Sequence, residues 1–209
     1  MVDVPGDVYG RAGIVGPAGR DFADRPNLVA DFTFPNPGPH VLVFGHMDTV
    51  AADDMTVDPF NVARRDGRLY GRGASDDKGG LTTALHAVET LAGLGIPLGG
   101  RLTLASVVEE ECNGGGAGIL AVLLDGLRPD MAVCVDGLAG GVARGGSGVI
   151  TGHIDVAGKA GHAAATDGVS ALEKALVVKR GLDAFKAARE RSRPQGLLNI
   201  GVFRAGVHP

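Results

Sequence analysis

Four short polar stretches of this chain carry side chains able to hold cations or move protons. They are Gly45-His46-Met47-Asp48, Ser75-Asp76-Asp77-Lys78, Glu109-Glu110-Glu111-Cys112, and Asp136 by itself. In an extended chain, residues i and i+2 point the same way. His46 and Asp48 can therefore lie side by side, the carboxylate taking the proton of one ring nitrogen while the other nitrogen faces a metal. The pair reads equally as a plain His–Asp contact at a strand end. Asp76 and Asp77 precede a helical pattern, where an Asp can serve simply as an N-cap. The glycines flanking them, Gly71, Gly73, Gly79 and Gly80, allow close backbone approach. Three successive carboxylates after a buried apolar strand are costly unless a cation sits near them. Adjacent glutamates suit a division of labour, one binding metal and its neighbour handling protons. A solvated acidic loop is the alternative there, and an ordinary turn is the alternative for Asp136.

Each stretch follows, or feeds, a segment patterned as regular structure. His40–Phe44, Arg101–Val108 and Met131–Val135 are short apolar runs that predict buried parallel strands, and Leu28–Phe34 alternates enough for another. From Lys78 to Leu94, the residues Leu81, Ala84, Leu85, Val88, Leu91 and Ala92 recur at helical spacing, and Gly95 and Pro97 end the pattern. A second helix is expected near Gly118–Leu124. The alternation predicts an α/β fold with a mostly parallel sheet and helices on both faces. Ligands in such sheets gather beyond the carboxyl ends of the strands, so clusters far apart in sequence can converge. The dense glycines of Gly140–Gly148 mark an expected boundary between a metal-binding catalytic domain, 1–144, and an incomplete α+β domain, 145–209. In the second, Val149–Val156 and Leu197–Phe203 read as strands and Val169–Ala188 as a helix.

Composition narrows the classes. A net charge of −4 with no long basic run argues against nucleic acid as the main partner. Arg189, Arg191 and Arg193 form the one basic cluster, read as a solvated helix end. No apolar run approaches the roughly 20 residues of a membrane span, and no signal-peptide pattern opens the chain. Two cysteines do not make a disulfide framework, so the expected setting is reducing and cytoplasmic. With 35 glycines, 4% aromatics and no Trp, the core should pack through Ala, Val, Leu and tight turns.

In combination, these motifs resemble the M20 metallohydrolases. "GHMDTV" at 45–50, "GRGASDDKGG" at 71–80, the glutamate run with its following glycines, and Asp136 after "MAVCV" stand in that family's order and spacing. So do "VAGKAGHAA" at 156–164, "GVSALEKAL" at 168–176 and "LNIGVFRAG" at 198–206, and the likeness spans residues 27–209. The family includes acetylornithine deacetylase, succinyl-diaminopimelate desuccinylase, aminoacylase and carboxypeptidase G types.

The resemblance implies roles. His46 would bind the first metal, Asp48 would orient it, Asp76 would bridge both metals and Asp136 would complete the first. Glu110 would be the general base and Glu111 a ligand of the second metal, with Glu109-Glu110 the other register. His162 would contact substrate, in many members across a homodimer formed by the lid domain. Two divalent metals about 3.5–4 Å apart can hold one hydroxide between them and lower the pKa of water to about 7. The reaction would be amide hydrolysis of an N-acyl amino acid or a short peptide. Zinc suits such a donor set, as do cobalt and manganese.

Some features depart from the family pattern. A further His ligand comes in the family from a C-terminal segment, and His208 does not match it. The usual N-terminal helix is also missing, so the expectation is a fragment that is itself inactive. Asp77 stands where many members carry an apolar residue, and Asp136-Gly137 where many carry Glu-Pro. One rival reading is an exopeptidase or dipeptidase of the same family; another is a non-catalytic binding or dimerisation module. A third is a dinucleotide site at Gly116-x-Gly118-x-x-Ala121, although Glu110–Gly115 separates it from its strand.

Overall fold

Short apolar runs and tight turns build a four-stranded sheet in the computed structural model. The structure describes every residue except 17–18, 54, 113–114, 138–140, 147, 163–165, 193–196 and 206–209. Arg193, His208, Asn113, Gly114 and parts of the boundary and "VAGKAGHAA" stretches therefore lie outside the described residues. The chain divides into two compact units, Met1–Ile150 and Thr151–Pro209.

In the first unit, β1 (Leu28–Thr33), β2 (Asn36–His46), β5 (Gly99–Val107) and β6 (Met131–Cys134) lie in the order β1-β5-β2-β6. β1 runs antiparallel to β5, while β5, β2 and β6 are parallel. A small hairpin, β3 (Ala63–Arg65) and β4 (Arg68–Tyr70), stands apart from this sheet. Asp66 and Gly67 turn it with positive φ of 49° and 73°, as a two-residue Asp-Gly hairpin requires.

Register decides which side chains share a face. Leu42 pairs with Thr103, Phe44 with Ala105 and His46 with Val107. Because strands alternate, these six residues lie on one side. That side receives α3 (Ala117–Leu124), whose Val122 joins Leu42, Ala105 and Val107 in a buried cluster. On the other side, Gly45 approaches Leu81 of α2 (Lys78–Gly93), so helices cover both faces. α2 buries Ala84, and Leu81 and Val88 in part, while Leu85 and Leu91 stay exposed. Its apolar stripe is narrower than the sequence spacing suggests. Leu94 caps α2, and Gly95 at φ 61° turns the chain away.

A second cluster packs the N-terminal segment, including the single turn α1 (Val8–Arg11), against α3 through Val8, Tyr9, Phe22, Val108, Ala117 and Ala121. Asn27 is fully buried at this seam. Its amide donates to the Gly118 carbonyl at 3.0 Å and accepts the Val108 N–H at 3.2 Å. Gly118 is required here, since a Cβ would collide with the Val108 carbonyl and the Asn27 amide. Of the glycines that suggested a dinucleotide loop, Gly118 thus serves helix–sheet packing, and Gly116 is the left-handed N-cap of α3.

The second unit contains α4 (Ala171–Ser192) and an isolated bridge between Lys159 and Val169. Ser170 Oγ accepts the Glu173 N–H at 3.2 Å and caps α4. The expected strands at 149–156 and 197–203 do not form. Alternating residues make a strand only when a neighbour completes the ladder, and among the described residues neither segment has one. Ile150, Ile154, Val202 and Phe203 accordingly stay exposed.

Candidate metal centre

β2 ends by burying His46, which is 1% exposed. Its main-chain N–H is accepted by Asp77 Oδ2 at 3.1 Å, and the Met47 N–H continues the ladder to the Val107 carbonyl at 2.8 Å. Lys78 Nζ donates to the Met47 carbonyl at 2.9 Å. The start of α2 therefore grips the end of β2 on both sides of His46. Asp77 stands at the N-cap position, yet its side chain makes no capping bond. Its carboxylate fills space that Gly45 and Gly80 leave open, where a Cβ on either would collide with it. Burial, opposed by the His46 hydrogen bond, holds the Asp77 carboxyl above its ordinary range. The Asp76–Asp77 peptide is cis.

The imidazole has two distinct sides. Nδ1 lies 3.0 Å from the main-chain carbonyl of Asp48 and 3.5 Å from its carboxylate. The orienting bond therefore runs to the carbonyl rather than to the side chain. The Asp48 carboxylate instead accepts the N–H groups of Glu110 at 3.3 Å and Glu111 at 3.1 Å, tying β2 to the loop after β5. A carbonyl can only accept, so Nδ1 carries the proton. Nε2 then faces Asp76 Oδ1 at 2.9 Å, Asp136 Oδ2 at 3.8 Å and Glu110 Oε2 at 3.9 Å.

A nitrogen lone pair aimed at three carboxylates is stable only with a positive charge between them. A proton or a metal ion can supply it. Burial opposes a charged His46, but the hydrogen bonds to Asp76 and the Asp48 carbonyl, with the charges of Asp48 and Glu110, outweigh it and raise its pKa. Donor atoms of His46, Asp76 and Glu111 lie within 4.8 Å of one another, as do those of His46, Glu110 and Asp136. One imidazole among carboxylate oxygens is a donor set that suits zinc, manganese or cobalt. Burial first, then the neighbouring Asp136, Glu111 and Asp48, push the Glu110 carboxyl upward against the opposing pull of His46.

Glu109 points elsewhere. It is 1% exposed and ion-paired with Arg20 at 2.7 Å and with Arg25. Of the two registers open in the glutamate run, the pair beside His46 is Glu110 and Glu111. The sequence carries no signal for Arg20 or Arg25, which sit in an irregular segment more than eighty residues away. His162 lies exposed in the second unit.

A family model described as Peptidase family M20/M25/M40 matches residues 42–194, which include His46, Asp76, Glu110, Glu111 and Asp136. The chain belongs to this family. An N-formyl-4-amino-5-aminomethyl-2-methylpyrimidine deformylase of Bacillus subtilis is 36% identical over 72% of this chain and 33% of its own length. The protein of the same name from Halalkalibacterium halodurans is 31% identical over 90% of this chain and 49% of its own. A succinyl-diaminopimelate desuccinylase of Sulfurimonas denitrificans is 35% identical over 61% of this chain and 36% of its own. The chain thus spans a third to a half of the length of these M20 relatives. Among solved structures, a Staphylococcus aureus tripeptidase matches with a TM-score of 0.55 and 24% identity, covering 87% of this chain and 48% of that one. That likeness concerns the fold.

Proposed function

We propose that this M20 chain carries the chemistry of a metal-dependent hydrolase that cleaves the amide bond of an N-acyl amino acid, with Glu110 as general base. The observation that carries the reading is the position of His46 Nε2, 2.9 Å from Asp76 and within 4 Å of Glu110 and Asp136. His46, Asp76 and Asp136 would hold one divalent ion, and Asp76 with Glu111 a second; zinc suits the set, as do cobalt and manganese. Ions bound there supply Lewis acidity toward a carbonyl and lower the pKa of water.

The chain's own residues do the rest. The main-chain carbonyl of Asp48 fixes the tautomer of His46, while its carboxylate holds the two glutamates at the strand end. Glu110, with its proton affinity raised, suits taking a proton from water and returning it to the leaving amine. The relatives at 31–36% identity are named for removing formyl or succinyl groups, which supports a small acyl substituent. A cytoplasmic setting and a homodimer formed through the second unit belong to the same reading, and light scattering tests the dimer.

The deciding experiment assays N-formyl, N-acetyl and N-succinyl amino acids beside dipeptides, with zinc, cobalt or manganese added. The whole protein that contains this chain should turn over acyl amino acids. Glu110→Gln should retain its metal and lose roughly 100-fold or more in kcat. Unchanged turnover removes Glu110 from the role of base, and turnover of dipeptides alone puts an exopeptidase in place of the deacylase.

A further inference from the structure

Glu109 is the residue where the chain leaves β5 and turns toward the centre. Its φ of 67° is left-handed, a conformation uncommon outside glycine. Its side chain is among the largest fully buried ones of the described residues. Arg20 donates to it through Nε at 3.0 Å and through Nη2 at 2.9 and 2.7 Å, and Arg25 donates through Nη1. Both oxygens are thus taken by guanidinium groups from one N-terminal segment. The same Arg20 Nη2 lies 2.6 Å from Cys112 Sγ. One guanidinium therefore holds residues 109 and 112, the two positions that bracket Glu110 and Glu111. From the opposite side, the Asp48 carboxylate accepts the N–H groups of both bracketed residues.

We propose that Glu109, clamped by Arg20 and Arg25, is a positioning residue that sets the direction of Glu110 and Glu111 toward His46. The proposal rests on the metal-hydrolase reading of the centre. The clamp fixes the backbone at the first residue of the run, from which Glu110 and Glu111 extend. Partners that orient ligands in this manner are worth about 10–100-fold in metal affinity.

The test is cobalt titration of the whole chain, read by visible absorption, beside thermal melting. Glu109→Gln keeps the shape of the side chain but cannot pair with two guanidinium groups. It should weaken cobalt binding about tenfold or more and alter the cobalt spectrum. Arg25→Gln, which leaves the Arg20 bracket in place, should weaken binding by a smaller factor, and it decides the matter alone if Glu109→Gln fails to fold. Val8→Ala disturbs the same N-terminal packing without touching the clamp. It should lower the melting temperature and leave affinity and spectrum unchanged. Wild-type affinity in both clamp variants overturns the proposal. So does an equal loss of affinity in Val8→Ala at a matched melting temperature. Failure of the wild type to bind cobalt overturns the metal reading itself, and the clamp with it.

Discussion

The carboxylate of Asp77 accepts the main-chain N–H of His46 at 3.1 Å, so the N-cap residue of α2 holds the residue at the middle of the candidate metal centre. The bond is buried on both sides, and leaving that N–H without a partner costs about 1–3 kcal/mol. Asp77→Ala should therefore lower stability by about that amount, whereas Asp77→Asn, which keeps an acceptor oxygen, should cost less than about 1 kcal/mol. Urea unfolding of the two variants separates them. Equal losses would show that the negative charge, rather than the acceptor, matters.

Metal binding should be unequal. Under the ligand set that the M20 resemblance implies, His46, Asp76 and Asp136 would serve one ion and Asp76 with Glu111 the other, while by distance Glu111 groups with His46 and Asp76, and Asp136 with His46 and Glu110. Calorimetric titration should resolve a first ion bound at least about tenfold more tightly than a second, because affinity follows the number and type of donors. His46→Ala should abolish the tight step, and Glu111→Ala should abolish only the weak one. Two ions bound with equal affinity would contradict this.

Away from the centre, Arg101 holds the Asp31 carboxyl below its ordinary range, helped by the Thr103 hydroxyl. The folded state then binds fewer protons than the unfolded state through the acid range. This contribution is complete above the ordinary Asp pKa and is lost as pH falls through the depressed one. Both side chains are over 40% exposed, so screening keeps the pair below about 1 kcal/mol. Arg101→Ala should lower stability slightly at pH 7 and flatten its fall between about pH 5 and pH 2. Parallel acid-unfolding curves for the two proteins would show that the pair contributes nothing.

His162 stands in the stretch "VAGKAGHAA", and contact with substrate is the role proposed for it. Under that role, His162→Ala should reduce kcat/KM on acyl amino acids by about 10-fold or more, the scale of losing one oxyanion donor, while metal affinity stays at the wild-type value. A fall in metal affinity would place His162 among the ligands instead.

Much of the sheet could be read from the chain, because buried parallel strands announce themselves as unbroken apolar runs such as Val41-Leu42-Val43-Phe44. The convergence of His46, Asp76, Glu110 and Asp136 was legible for a related reason, since each follows a strand or opens a helix. What could not be read depends on contacts without local pattern. Asp77 looked like a cap, and only the packing of α2 against Gly45 turns its carboxylate onto His46. Glu109 looked interchangeable with its neighbours until Arg20 and Arg25, distant in sequence, drew it away. Asp48 was expected to orient the imidazole through its carboxylate, but its main-chain carbonyl lies nearer. The strands at 149–156 and 197–203 were read from alternation, which measures amphipathicity and says nothing about whether a pairing edge is present.

The parallel register of β2 against β5 also dictates an order of assembly. His46 lies beside Val107 across roughly sixty intervening residues, and that loop must close before the Asp48 carboxylate can meet the backbone of Glu110. A cation held at the candidate centre would not template the early steps of folding, because its ligands come together only after the sheet exists; it would act as a late lock on an already folded chain. Chelation should thus speed unfolding far more than it slows refolding.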